Sequence, residues 1–256
     1  MRSRADLQRI RAYYARILPF YEKETAGESL AFWRGLARLW RPGRILEVGS
    51  GLGRVTGALA REAPAFGIDI SLEMLRYASR RSGSRARFVA ADMREVVFGC
   101  SFDLIVAPGD ALCHWTRVAD RKRALRNVAA LLSPAGRFVL EALYRRGGKA
   151  LTFERRFRYR GGALAVGETW RPAGRRGLWR ATYRYRDSGP GRRPRKLEAS
   201  FLARAWNHSE IGPLFAACGL AVEEVWGDFR RRPFGPDSER LIVVARRRAH
   251  FLHQTA

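Results

Sequence analysis

Three glycines at alternate positions, Gly49, Gly51 and Gly53, stand between the apolar run of Ile45, Leu46 and Val48 and a helix-like segment, and a second short apolar run then ends at Asp69. Strand, Gly-rich turn, helix and strand in that order make half of a nucleotide-binding α/β unit. Glycines at such a turn let the backbone approach a ligand closely, and the helix N-terminus that follows favours negative charge. No other stretch of the chain restricts its fold as tightly.

From Arg44 the pattern alternates. The spacing predicts strands over 44–49, 65–69, 87–90, 102–107 and 136–141, with helices over 54–63, 72–81 and 120–132. Strands spaced by helical segments imply right-handed crossovers and a parallel sheet covered on both faces. Upstream, residues 5–18 place Leu7, Ile10, Tyr13, Tyr14, Ile17 and Leu18 at helical spacing before Pro19, which is expected to stop the helix. A second amphipathic helix is expected from Ser29 to Trp40, ending at Pro42-Gly43. Together they make an N-terminal helical cap over 1–43, free to lie across the mouth of the sheet.

At Gly147-Gly148 the rhythm changes. Aromatic residues alternate with arginines over 152–186, with turn signals at Gly161-Gly162, Pro172 to Gly177 and Ser188 to Pro194, and the pattern continues over 196–206. Antiparallel hairpins follow, an inserted β-subdomain over 147–206. The α/β pattern returns with a helix at 208–218, capped by Asn207 or Ser209 and stopped by Gly219, and strands at 220–227 and 240–246. The core is therefore expected over 44–146 and 207–248.

A chain of 256 residues suits one large α/β domain with an insertion. No run is long enough to cross a bilayer and the N-terminus is studded with arginine, so a cytoplasmic location and no membrane association are expected. Cys100, Cys113 and Cys218 are widely spaced, which suggests neither zinc nor a disulfide framework, and no metal is expected. The net charge is +25, the footprint of a protein that meets nucleic acid, acidic lipid or an anionic substrate. Only four of the 49 basic residues are lysine, a bias that a G+C-rich genome produces without any functional change. Codon bias does not explain the clustering: residues 142–205 hold 18 basic and 4 acidic side chains.

The glycine turn does not fit the dinucleotide fingerprint G-x-G-x-x-G, because its third position falls on Arg54 in one register and on Thr56 in the other. What fits is E-x-G-x-G-x-G, with Glu47 two residues before Gly49. A carboxylate there is awkward for a pyrophosphate and suits a ligand that carries an ammonium group.

At these residues the sequence resembles the class I S-adenosylmethionine-dependent methyltransferases. The resemblance covers about residues 44–142 by motif, and the last two strands by pattern. It implies a doubly wound, Rossmann-like α/β fold with a seven-stranded, mostly parallel sheet of order 3-2-1-4-5-7-6. S-adenosyl-L-methionine is the implied cofactor, held by the turn of Glu47, Gly49, Ser50, Gly51 and Gly53. Asp69 is implied at the ribose hydroxyls with Ile70 beside it, Asp92 at the adenine amino group with Met93 against the ring, and Ala107 at the end of the fourth strand. A carboxylate such as Asp69 accepts two hydroxyl hydrogen bonds at once.

The segment G-D-A-L-C-H-W, from Gly109 to Trp115, resembles the substrate-facing loop of small-molecule N-methyltransferases of the glycine methyltransferase type, with Asp110 where that type usually has Asn. Asp110 is thus a candidate for both catalysis and substrate binding and Trp115 for substrate binding, while Asp103 reads as a strand-start residue. In-line methyl transfer draws on alignment and desolvation, and a general base is needed only for a protonated nucleophile. His114 is the nearest such base, with a structural place beside Trp115 as the equal alternative. Tyr14 and Tyr21 in the cap are candidates over cofactor or substrate, or equally core aromatics, and Arg145 just past the fifth strand is a candidate partner for an anionic substrate. His208 reads as a helix cap.

Three readings stay open at this stage. The first is an S-adenosylmethionine-dependent enzyme that methylates N or O of a small, anionic or carboxylate-bearing molecule, with oligomerisation through the insertion as an option. The second is an RNA- or DNA-modifying methyltransferase that grips phosphates with the basic insertion. The third is a binding protein that keeps the fold without turnover.

Overall fold

The computed structural model describes residues 2–24, 29–83, 85–144, 149–174 and 177–248, and side chains from residue 5 onward. Helices α1 (Arg2–Tyr21) and α2 (Ser29–Trp40) precede β1 (Ile45–Val48), α3 (Arg54–Leu59), β2 (Ala65–Asp69), α4 (Leu72–Arg81) and β3 (Ala86–Ala90). Next come β4 (Phe102–Ala107), α5 (Val118–Leu131) and β5 (Leu132–Ala142). Four long strands follow, β6 (Leu151–Tyr159), β7 (Gly162–Pro172), β8 (Leu178–Gly189) and β9 (Arg192–Arg204), and then α6 (His208–Ala216), β10 (Leu220–Trp226) and β11 (Leu241–Arg247).

The core strands form a seven-stranded sheet in the order β10-β11-β5-β4-β1-β2-β3, which is the expected 3-2-1-4-5-7-6. Only β11 runs against its neighbours, pairing antiparallel with both β5 and β10. β1 lies at the centre between β2 and β4, parallel to both. Its apolar residues are sealed on both faces of the sheet, which is why the strand reads as a continuous hydrophobic run and not as an alternation. The chain reverses direction across the sheet between β1 and β4, and the crevice at their C-terminal ends is where such sheets bind ligands.

The insertion forms a separate antiparallel sheet, β6-β7-β8-β9. Period-two alternation sorts its residues: Leu164, Val166, Tyr185 and Ala199 pack with Tyr13, Ile17 and Phe20 of α1, while Arg156, Arg184, Arg186 and Lys196 are exposed on the other face. Most of the surplus charge of the insertion therefore sits outside and most of its rings inside, with Arg155 and Phe153 as exceptions. Buried Asp187 ties the two together, accepting from Lys23 (2.6 Å), Arg192 (2.9 Å) and the Tyr159 hydroxyl. These cationic and hydroxyl donors hold its carboxyl below the usual range, against the opposing pull of burial.

Pro19 does not end α1, contrary to expectation. It stands in the last turn, where a missing N–H costs one hydrogen bond, and Ile17 and Phe20 on either side are buried against the insertion. Tertiary packing overrides the local signal. Two boundaries also differ: α3 ends at Leu59, with Pro64 close behind, and β5 starts directly at Leu132 where α5 stops. Asp103 is the strand-start residue expected, its carboxylate accepting from the backbone N–H groups of Gly43 and Arg44 and from Ser133 Oγ. His208 opens α6 and stacks on Phe234, with Asn207 as the N-cap.

Candidate active site

The turn between β1 and α3 is built from residues that each need to be small for a different reason. Gly51 has φ +49° and open space where a side chain would project, so the turn presents bare backbone to the cavity. At Gly53, φ +70°, a Cβ would lie 2.6 Å from the Phe88 ring and 2.7 Å from Ala78 Cβ, so this glycine lets α3 close on β3 and α4. Asp69 locks the turn from the tip of β2: Oδ2 accepts from Gly51 N at 2.9 Å and Oδ1 from Ser71 N at 2.8 Å. Burial raises its pKa, against the pull of those amides.

Glu47 is buried beside the turn and accepts from the Thr56 hydroxyl. Burial pushes its pKa up to about 8, only partly offset by Thr56. A cation arriving at this carboxylate would restore its charged form. Ser50 Oγ is buried with no hydrogen-bond partner among the described residues, in a residue that lines the cavity. Bare backbone at Gly51, an unpaired hydroxyl and two carboxylates fit an adenosyl group that carries hydroxyls and positive charge, so the site suits the expected cofactor.

The cavity over this turn has a volume of about 590 Å³, within the range for small-molecule sites. Its floor includes Gly49, Ser50, Gly51, Asp69, Ile70 and Met93. Its wall on one side is the loop after β4, where Gly109 and Asp110 both take left-handed φ values, +59° and +63°. Glu141 at the end of β5 pins that loop, accepting from Gly109 N at 2.9 Å, and is itself held by Arg240 Nη1 at 2.5 Å. Glu141 and Arg240 line the cavity as well.

The cap closes the cavity from above. Tyr14 and Tyr21 line it, and Arg54 at the start of α3 donates to the Tyr21 carbonyl at 2.8 Å. Arg11 Nε donates to the Ile70 carbonyl at 2.8 Å, joining α1 to the end of β2. His114 lies inside with Nε2 2.8 Å from Tyr14 Oη and its ring against Phe201 at 4.6 Å. Burial lowers its pKa to about 4. Trp115 lines the same wall, its Nε1 donating to Met93 Sδ and its carbonyl accepting from buried Arg121.

Not every expected residue reaches the cavity. Asp92 does not line it: both carboxylate oxygens accept from Arg94, which also bonds Asp120 (2.5 Å) and stacks its guanidinium 4.0 Å over Trp115. Ala107 lies buried beneath the loop, and Gly53 serves helix packing. Arg145 lies outside the described residues. Asp110 and Gly49 line the cavity as expected.

The far end was not foreseen from the sequence. Tyr183 and Tyr185 on β8, Trp170 on β7, Phe201 on β9 and Arg155 on β6 form one wall, and Tyr13 and Glu24 of the cap region form the other. Only the alternation of rings along the insertion hinted that one face of it was buried.

Comparison with known proteins bears on the central half of this site. Residues 45–136, from β1 through the glycine turn to the start of β5, match the family described as a methyltransferase domain. No curated protein matches the chain. Among solved structures it is similar to DesVI of Streptomyces venezuelae, with 20% identity, 91% of this chain and 98% of that one covered, and a TM-score of 0.76. An S-adenosylmethionine-bound amino pentose methyltransferase of Micromonospora echinaspora, involved in calicheamicin biosynthesis, is 24% identical, with 88% and 93% covered and a TM-score of 0.71. A sugar N-methyltransferase of a Streptoalloteichus species is 20% identical, with 92% of each chain covered and a TM-score of 0.71. These likenesses, each over about nine tenths of the chain, show the class I methyltransferase fold.

Proposed function

We propose that this chain, a methyltransferase domain with a helical cap and an inserted sheet, transfers the methyl group of S-adenosylmethionine to an amine nitrogen of a small molecule. The observation that carries the reading is a single cavity that runs from the glycine turn and Asp69 to an aromatic chamber under the insertion. Solved structures of similar fold support it, among them an amino pentose methyltransferase and a sugar N-methyltransferase.

The charge inside the cavity points toward an amine. Among the described residues, Glu24, Glu47, Asp69, Asp110 and Glu141 line it against Arg54, Arg155 and Arg240. A basic protein thus encloses an acidic pocket, which favours a cationic cofactor and a cationic acceptor over an anionic one. The anionic or carboxylate-bearing acceptor expected from the charge of the insertion is replaced in this reading, because Arg184 and Arg186 are exposed on the face opposite to cavity-lining Tyr183 and Tyr185. That placement also favours a small molecule over RNA or DNA.

Each residue has a part. Bound S-adenosylmethionine supplies an electrophilic methyl group on a sulfonium centre. Asp69 would hold its ribose hydroxyls, Ser50 Oγ and the Gly51 backbone would meet its polar edge, and Glu47 would balance its positive charge. Tyr14 and His114 orient the acceptor by hydrogen bonding at Tyr14 Oη. His114 stays neutral at physiological pH and is too weak a base to take a proton from an alkylammonium, so the proton passes to solvent before the nitrogen, its lone pair free for attack on the methyl group, is enclosed by the aromatic chamber. Trp170, Tyr183 and Phe201 exclude water from the reacting nitrogen.

Calorimetry with S-adenosylmethionine, S-adenosylhomocysteine and NAD tests the cofactor, and binding of NAD alone would overturn the reading. Mass spectrometry of a panel of small amines and matched alcohols incubated with protein and cofactor tests the acceptor. Methylation confined to alcohols overturns the amine assignment. Cofactor binding with no transfer to any compound favours a binding protein, and tight salt-sensitive RNA binding favours a nucleic-acid substrate.

A further inference from the structure

Glu24 stands just beyond the end of α1, far in sequence from every motif above, yet its side chain lines the cavity and is 6% exposed. Its two oxygens differ. Oε2 pairs with Arg155 Nη1 at 3.1 Å, while Oε1 is buried with no hydrogen-bond partner among the described residues. A buried carboxylate oxygen left unpaired is costly, and proteins keep one where a ligand completes it.

Arg155 is shared between two acids: its other terminal nitrogen lies 3.4 Å from Glu168 Oε2, so one guanidinium serves two carboxylates and reaches only one oxygen of Glu24. Burial raises the pKa of Glu24, with Arg155 and Arg54 pulling it down and Glu168 pushing it up. Tyr13, Tyr21, Tyr183 and Tyr185 line the same chamber. Ring faces attract organic cations, and a carboxylate among rings is the usual chemistry of an amine receptor.

We infer that Glu24 is the counter-ion for the acceptor's amino group: Oε1 accepts an N–H of the docked amine while Arg155 holds Oε2 and fixes the carboxylate. The inference deepens the amine-methylating function proposed above and rests on it. It makes Glu24 the residue that separates amines from alcohols of the same shape. An alcohol can donate one hydrogen bond to Oε1 but brings no charge to offset it.

A titration followed by ligand-observed NMR, with cyclohexylamine and cyclohexanol as probes at neutral pH, tests this on the full chain saturated with S-adenosylhomocysteine. The wild-type protein is expected to bind the amine at least about ten-fold more tightly than the alcohol. Glu24→Gln, nearly isosteric and uncharged, should bring that ratio close to one, and Glu24→Asp should restore most of it. S-adenosylhomocysteine affinity should be the same in all three proteins. No preference in the wild type, or a preference that survives in Glu24→Gln, overturns the inference. The wild-type ratio stands whether or not a variant folds. Should S-adenosylhomocysteine fail to bind, the methyltransferase reading falls, while the amine-to-alcohol ratio measured on the free protein still decides the role of Glu24.

Discussion

Tyr14 Oη lies 2.8 Å from His114 Nε2, a hydrogen bond between residues 100 positions apart that joins the N-terminal helix to the loop after β4. The pair closes the cavity between cofactor turn and insertion. Both groups are largely buried, with the pKa of Tyr14 raised and that of His114 lowered by desolvation, so each is neutral and the bond is one between uncharged partners.

That burial has a measurable consequence for acid stability. The folded His114 titrates near 4 against 6.5 for a free imidazole, so the unfolded chain binds the proton first. Its contribution to stability is complete above pH 6.5 and is lost as pH falls from 6.5 toward 4. Between pH 7 and pH 5 the loss amounts to about 2 kcal/mol. Urea unfolding at the two pH values should show His114→Asn losing less stability than the wild type by about that amount. Equal losses would mean that His114 is not buried as a neutral ring.

Asp69 is expected to govern cofactor affinity. Asp69→Ala removes the acceptor proposed for the ribose hydroxyls and unpins Gly51 N. Calorimetry with S-adenosylhomocysteine should report a loss of roughly 1.5–3 kcal/mol, the contribution of hydrogen bonds to a charged group. An unchanged dissociation constant in a folded variant would remove Asp69 from the site.

The glycines of the turn should separate stability from binding. Gly53→Ala drives a methyl into Phe88 and Ala78 at a left-handed φ, and should destabilise the fold by more than about 2 kcal/mol. Gly51→Ala meets no protein atom, so its cost is the backbone strain alone, about 1 kcal/mol, while its methyl enters the cofactor cradle. Thermal unfolding and S-adenosylhomocysteine titration of the two variants should rank them in opposite orders.

Arg94 carries the support under Trp115. Arg94→Leu leaves Asp92 and Asp120 buried without their shared cation, and should cost about 3–5 kcal/mol in denaturant unfolding. Restoring stability with Asp92→Asn in the same chain would show that the cost lies in the stranded carboxylates. Failure of that second change to help would place it in the lost packing on Trp115.

Much of the core was legible because its signals are local. Gly49, Gly51 and Gly53 sit within five residues, and the apolar strand before them and Asp69 after them follow from two short periodic runs. The sheet order needed the family resemblance, because periodicity says which segments are strands but not which ones pair. Asp92 shows the limit of a motif: its position after β3 was read correctly, yet Arg94 two residues on claims both of its oxygens. Pro19 shows the limit of a local rule, since packing of Ile17 and Phe20 outweighs one missing backbone donor.

The sequence by itself determined the glycine-turn half of the cavity, whose residues come from one turn and the tips of adjacent strands. Only the tertiary structure decided the half under the insertion. Glu24, Tyr14, His114, Arg155 and Tyr185 come from the cap, the loop after β4 and two strands of the insertion, and no spacing relates them along the chain. The same holds for charge. A count of arginines over 142–205 suggested an anionic ligand, but a β-strand sends alternate side chains to opposite faces, and folding turned Arg156, Arg184, Arg186 and Lys196 toward solvent and Trp170, Tyr183, Tyr185 and Phe201, with Arg155, toward the cavity.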